Sequence, residues 1–244
     1  MIKLSILMFI NFLMTCDNPY ADTTGYAKGK LIYENPFGDK QQVKDWIMEG
    51  PGELKFAGGW MEMYSPEQKW DHVFWCPKDF PGSFIAEWDV QNLDTANGLT
   101  IIFFAAKGSN GEDIFSPSMP KRDGTFKYYN KGQMNCYHIS YYANNPKAPD
   151  RGNTHLRKDP AFDLLQTGEE GIPTSSAGIH HVRLVKAAAR IVMFIDERKV
   201  IDYTDDGKIY GPLYTAGKIG FRQMRWTDFR YRNFKVWEIN NANL

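Results

Sequence analysis

Cysteine is scarce in this chain: three among 244 residues, at positions 16, 76 and 136, with none of the paired spacings that build a zinc site. The five histidines form no H-x-x-x-H or H-E-x-x-H arrangement, and His180 and His181, adjacent on one strand, point to opposite faces. A catalytic transition metal is therefore not expected. Charge of one sign is also missing, because 29 Lys and Arg balance 29 Asp and Glu, and no basic surface for nucleic acid or membrane follows from composition. No glycine-rich phosphate loop, no G-x-S-x-G elbow, no internal repeat and no low-complexity segment is present, and no stretch carries a helical period of useful length.

What is abundant is aromatic side chain: 16 Phe, 13 Tyr and seven Trp. From Gly29 onward the chain reads as short strands separated by Gly, Pro, Asn and Asp clusters. They run Lys30–Tyr33, Glu53–Phe56, Trp60–Tyr64, His72–Trp75, Phe84–Val90, Leu99–Ala106, Cys136–Tyr142, His181–Lys186, Arg190–Ile195, Lys199–Tyr203, Lys218–Met224 and Phe229–Ile239. A dozen such strands in one domain predict an all-β sandwich of the jelly-roll kind, two antiparallel sheets with Trp88, Phe103, Ile139, Phe194 and Phe221 inside. The aromatic surplus then fills the core or provides flat platforms for sugar rings.

The amino end is read as a targeting segment. Met1 to Lys3 lead into an apolar run, Leu4 to Leu13, too short to span a bilayer but right for an export signal. The ending Leu13-Met14-Thr15-Cys16 resembles a bacterial lipoprotein signal, which implies residues 1–15 as signal peptide and a lipidated Cys16 as the first mature residue. The alternative is an ordinary signal peptide with Cys16 incidental. Residues 16–28 are the tether and 29–244 the folded domain, exported and held at a membrane, periplasmic or at the cell surface, through the lipid alone. Export leaves two states open for Cys76 and Cys136, a disulfide or two buried thiols.

The stretch NCYHISYYANN (Asn135 to Asn145) carries the first functional signal. Alternation puts Cys136, His138, Ser140 and Tyr142 on one face and Tyr137, Ile139 and Tyr141 on the other. A polar, uncharged face backed by aromatics suits the floor of a groove for a hydroxyl-rich ligand, and it equally suits a solvated sheet face. In Lys218–Met224, Ile219 and Phe221 point to the core, which turns Arg222 to the other side, toward His138. Arg225 and Trp226 follow in the turn, where a guanidinium and an indole together bind an acidic sugar. His72 and Trp75 are expected at a groove edge, and His155 and Arg157 in a long polar loop, Asn144–Lys158, beside it.

Two segments resemble a known sandwich. HHVRLVKAAARIVMFIDERKVIDYTDDG (His180–Gly207) looks like a hairpin of concanavalin A-like domains, and GKIGFRQMRWTDFRYRNFKVWEI (Gly217–Ile239) like their closing strand pair. With WDHVFWCP, FIAEWDV, SYYANNP and HLRKDP, the chain after about Gly29 resembles the YesU-like family of concanavalin A-like proteins, a domain of unknown function found beside polysaccharide-degrading genes. The resemblance implies a concanavalin A-like jelly roll and a glycan context, and supplies no reaction. EWDVQ also partly resembles the E-x-D-x-x-E strand of laminarinase-type glycoside hydrolases, with Glu87 and Asp89 on one face but Gln91 and Asn92 where the last acid would stand. A second carboxylate would then come from another strand, Asp113 being the nearest. No cofactor is expected. A structural calcium is what such sandwiches often hold, with Asp205, Asp206 or Asp228 as oxygen donors, while Asp205-Asp206-Gly207 also reads as a plain turn.

Three functions fit these residues. The first is a lipid-anchored enzyme, glycoside hydrolase or polysaccharide lyase, that cleaves a polysaccharide or oligosaccharide in a concave groove. Glu87, His138 and Arg222 would be catalytic, with His72, Trp75, Asp89, Asp113, Tyr142, Arg157, Arg225 and Trp226 binding substrate. The second is a noncatalytic glycan-binding lipoprotein, and the third a surface protein without a sugar site. A groove with converging carboxylate and histidine favours the first, a flat aromatic platform the second, and a groove filled by its own loops the third.

Overall fold

The computed structural model describes residues 24–145 and 152–241. The signal, Cys16 and most of the tether lie outside them. Fifteen strands follow one another: β1 (Tyr26–Asn35), β2 (Ile47–Glu49), β3 (Glu53–Ala57), β4 (Trp60–Tyr64), β5 (His72–Trp75), β6 (Ser83–Asn92), β7 (Gly98–Gly108), β8 (Met134–Asn144), β9 (Asn153–Asp159), β10 (Asp163–Glu170), β11 (Ile179–Ala187), β12 (Arg190–Ile195), β13 (Arg198–Thr204), β14 (Lys218–Gln223) and β15 (Phe229–Asn241). Among the described residues they are interrupted by one short α-helix, α1 (Lys127–Asn130), and by 3-10 turns at Lys40–Val43 and Pro66–Gln68. An eight-stranded antiparallel sheet runs β13-β12-β11-β6-β15-β4-β3, with β1 also paired to β15; a seven-stranded one runs β10-β9-β8-β7-β14-β5-β2. The all-β, two-sheet sandwich read from the sequence is what forms.

Alternation explains the layers. In β6, Phe84, Ala86, Trp88 and Val90 enter the space between the sheets, where they meet Ile102, Ile139, Tyr141 and Phe221 from the other sheet. Trp88 lies edge-on to Phe221 at 5.5 Å and to Tyr141 at 5.9 Å. Of the five residues expected inside, Trp88, Ile139 and Phe221 are in this core. Phe194 belongs instead to a small cluster with Ile85, Val185 and Val192, the face of the eight-stranded sheet turned away from the core. Phe103 lies on the outer face of the seven-stranded sheet, where Val73, Trp75, Ile101 and Cys136 are also buried.

That second outer face is dry because residues 109–133 fold back over part of it, bringing Ile114, Phe115, Phe126 and Tyr129 down onto the strands. The cover is fastened by one buried carboxylate. Glu49 pairs with Arg122 at 2.7 Å and accepts hydrogen bonds from the Trp75 indole at 2.9 Å and the Tyr129 hydroxyl at 2.8 Å. A buried charge satisfied on several sides in this way offsets much of its desolvation cost.

Three local features differ from the sequence reading. The sandwich begins at Tyr26, since residues 26–28, expected as tether, already pair with β15. The expected loop Asn144–Lys158 contains β9, whose polar residues are strand because β8 and β10 hydrogen-bond both its edges. In β8, Tyr142 pairs Thr100 while Ser140 pairs Ile101, so a bulge at Tyr141 reverses the alternation. Cys76 and Cys136 are free buried thiols. Cys76 faces the inner core and Cys136 the outer cluster.

Candidate functional site

Strand pairing fixes which side chains share a face, because residues directly opposite in an antiparallel pair point the same way. His138 pairs with Phe103 and Arg157, Ser140 with Ile101 and His155, and Arg222 with Ile101 and Val73. His138 and Arg222 are therefore both on the outer face of the seven-stranded sheet, as their positions in β8 and β14 predict. Phe126, from the covering segment, joins them: its ring is 6.0 Å from the His138 ring and 4.7 Å from the Arg222 guanidinium.

The two polar groups are held tightly. His138 Nδ1 is 2.5 Å from Oδ2 of the fully buried Asp159, and its ring packs against Phe103 and Phe162. With Nδ1 on the carboxylate, Nε2 is the nitrogen left to meet a ligand. Arg222, 0% exposed, donates from Nη1 to the Gly124 carbonyl at 2.8 Å and from Nη2 to Asp71 at 2.8 Å. Its Nε and the second Asp159 oxygen, Oδ1, are buried without partners. Burial pushes the Arg222 pKa down, against the pull of Asp71.

At the rim, Asp71 also accepts the Arg225 amide, and the Arg225 guanidinium lies 5.0 Å over the Trp226 ring. Arg157 sits 4.0 Å over the Phe162 ring and donates to the Phe162 carbonyl at 3.0 Å. The structure thus gathers His138, Arg222, Arg225, Trp226 and Arg157 around one face. Two carboxylates the sequence reading passed over, Asp71 and Asp159, orient its cations. Both stand inside segments already marked by the resemblance, WDHVFWCP and HLRKDP.

Other expected members are elsewhere. Glu87 and Asp89 lie on the eight-stranded sheet, on the side away from the core, so the whole sandwich separates them from His138 and the expected three-residue constellation does not form. There Glu87 meets Lys28 at 2.7 Å, and Asp89 meets His181 at 2.9 Å and Arg232 at 3.1 Å. Burial alone would raise both carboxyl pKa values, but these partners hold them below the usual range. Tyr142 is turned inward by the bulge, packs 5.0 Å from Phe229 and donates to the Thr174 carbonyl, and burial raises its pKa. Trp75 lies beneath the covering segment, stacked on Phe103. His72 pairs with Gln223 rather than Arg222, so it faces the core, fully buried, with no partner for either ring nitrogen and its pKa lowered to about 4 chiefly by burial. Asp113 is an exposed loop residue paired with Lys218 at 2.8 Å.

Of the expected calcium donors, Asp205 and Asp206 are engaged by protein groups, whereas Asp228 Oδ1 is buried without a partner and burial pushes the Asp228 pKa up to about 6. Asp205 takes Lys158 and the Tyr137 hydroxyl, each at 2.7 Å, and Asp206 accepts the amides of Lys208 and Ile209. Among the described residues no three His, Cys, Asp or Glu side chains converge as a metal-holding group.

Two antiparallel sheets packed face to face, one outer face carrying His138 and Arg222 partly under a folded-back segment, define a concanavalin A-like, galectin-like sandwich. The chain belongs to the family described as a domain of unknown function (DUF1961), whose model matches residues 30–236. It is 37% identical over 215 residues to the uncharacterized protein YesU of Bacillus subtilis (strain 168), covering 86% of this chain and 97% of that one. A crystal structure from Bacillus subtilis, of a protein of unknown function with a galectin-like fold, superposes with a TM-score of 0.84 at 35% identity over 88% of this chain and 98% of its own. A LamA variant from Zobellia galactanivorans, in complex with laminaritriose and laminaritetraose, shares the fold with a TM-score of 0.55 at 12% identity, over 87% of this chain and all of that one.

Proposed function

We propose that this protein is an exported, lipid-anchored enzyme that acts on glycans and cleaves an acidic polysaccharide or oligosaccharide at the outer face of its seven-stranded sheet. The observation that carries the reading is the contact between Asp159 and His138 Nδ1 on the face that also bears Arg222. A carboxylate fixes the imidazole tautomer and leaves Nε2 as a base, and a nearby guanidinium offsets negative charge that develops in the transition state. Arg225 over Trp226 is a rim pair suited to an acidic sugar ring. The laminari-oligosaccharides bound by LamA, on the same fold, support a glycan as ligand.

Elimination suits these residues better than two-carboxylate hydrolysis. Asp71 is committed to Arg222 and Asp159 to His138, while Glu87 and Asp89 face away on the other sheet. In elimination, His138 Nε2 takes the proton beside the uronate carboxyl group, the carbon–oxygen bond to the leaving sugar breaks, and the same imidazole returns the proton to the departing oxygen. Burial of His138 and Arg222 beneath Phe126 favours a second reading, noncatalytic capture of a glycan at the rim. A panel of polysaccharides, read for reducing ends and for unsaturated-uronate absorbance, separates the cases. Both signals together support elimination, reducing ends without absorbance point to hydrolysis, and binding without turnover to capture. Neither turnover nor binding on any polymer overturns the proposal.

A further inference from the structure

A second constellation lies at the end of the sandwich where residues 171–178 cross from one sheet to the other. The Ser176 Oγ is 2.7 Å from His180 Nε2, and His180 Nδ1 is 2.5 Å from Asp196 Oδ2. With the carboxylate on Nδ1, that nitrogen holds the proton and Nε2 accepts from the serine hydroxyl. This is the connectivity of a nucleophile, a base and an orienting acid, an arrangement recognised by geometry and role rather than by chain order.

Each member is fixed by other contacts. Asp196 sits in the tight turn between β12 and β13, with φ of 49° and 68° at Asp196 and Glu197, a left-handed conformation that glycine or asparagine usually supplies. Its second oxygen accepts the His181 amide at 2.8 Å, so the carboxylate grips both the ring and the backbone beside it. His180 is 8% exposed and opposes Val90 across β11 and β6. The serine segment is anchored by the Ile172 amide on the Tyr141 carbonyl, the Tyr142 hydroxyl on the Thr174 carbonyl and the Gln91 amide on the Ala177 carbonyl. The Gly178 amide donates to Ser176 Oγ at 3.2 Å, leaving the hydroxyl proton for His180.

We propose that Ser176, His180 and Asp196 form a serine esterase site, separate from the outer face that bears His138. Ser176 Oγ attacks the carbonyl carbon of a carboxylic ester as its proton passes to His180 Nε2. The bond to the alcohol oxygen breaks, and His180 returns the proton to the leaving alkoxide. Water, deprotonated by the same imidazole, then releases the acid and restores the serine. The amide of Ala177, the residue after the nucleophile, is the assigned oxyanion donor, while the Gly178 amide stays on Ser176 Oγ and helps hold it in place. Ser176 is half-buried and its neighbour Ile179 is 51% exposed, an open surface suited to a short acyl group on a bulky alcohol such as an O-acetylated sugar.

The test uses the full chain with a fluorophosphonate probe and with p-nitrophenyl acetate. Expected is a single adduct on Ser176 by peptide mass spectrometry, absent from the His180→Ala protein. Because a bare imidazole also hydrolyses p-nitrophenyl acetate, the deciding rate is that of Ser176→Ala, in which His180 is intact; it should fall at least about a hundredfold. Asp196→Asn, which keeps the size of the turn residue, should fall at least tenfold as the wrong tautomer is held. No adduct on Ser176, or a fall of less than tenfold in Ser176→Ala, overturns the proposal.

Discussion

Replacing His138 by alanine separates two roles that the sequence alone assigns differently. From sequence, a histidine on the wet side of a strand supports little packing and its loss leaves stability nearly unchanged. In the structure, His138 is 2% exposed, lies among Phe103, Phe126 and Phe162, and is a polar partner of an Asp159 carboxylate that water does not reach. Without it, Oδ2 keeps only the Cys136 thiol at 3.5 Å, and Oδ1 has no partner to begin with. Removing one member of a buried pair costs about 3–5 kcal/mol, because the other charge stays buried and unpaired. At a urea slope of roughly 2.5–3 kcal/mol per M, the unfolding midpoint should fall by about 1–2 M. A double-mutant cycle with Asp159→Ala should show coupling of about 1–3 kcal/mol, and glycan turnover per folded molecule should be lost as well. A stability loss under about 1 kcal/mol with coupling near zero would refute the buried-dyad argument.

Three further outcomes are expected. Cys16→Ser should move the protein from the membrane fraction to the soluble one on cell fractionation; unchanged partitioning rules out a lipid anchor at that residue. Glu87→Gln should leave glycan turnover within about twofold, since Glu87 lies across the core from His138, and a loss beyond tenfold would place the chemistry on the eight-stranded sheet. His72 has its pKa lowered from 6.5 to about 4 mainly by burial, so the fold favours its neutral form. Its stabilising contribution is full above pH 6.5 and is lost as pH falls toward 4, by about 3 kcal/mol. Urea titrations at pH 7 and pH 4 should show a smaller acid-induced loss in His72→Gln than in the parent chain, and equal losses would contradict this assignment.

The fold was legible because a period of two, broken by Gly, Pro and Asn, is a strong signal over many strands, and because two long segments match a known sandwich. The site was legible in part. His138 and Arg222 share a sheet face in the structure as alternation predicts, because β8 up to Ser140 and β14 alternate cleanly. Tyr142 departs from the alternation because a bulge one residue earlier leaves no mark in the sequence. Alternation also tells which side of its own strand a residue takes but not which sheet the strand joins, so Glu87, with equally good periodicity, went to the far side of the molecule. The cover over Trp75 comes from residues 109–133, a polar, irregular stretch whose few apolar residues carry no period. Ser176, His180 and Asp196 meet only because a crossing segment, a strand end and a hairpin turn converge, which spacing along the chain does not reveal.

The pairing of the first strand with the last has a consequence for synthesis. β15 is hydrogen-bonded to β1, β4 and β6, so the eight-stranded sheet lacks the strand that joins its two halves until residues 229–241 have been made. A chain emerging amino end first therefore cannot complete this sheet before residues 229–241 are available. The register of three neighbouring strands is thus fixed by one segment, residues 229–241, and by contacts of high sequence separation, which makes closure of this sheet a late event in folding.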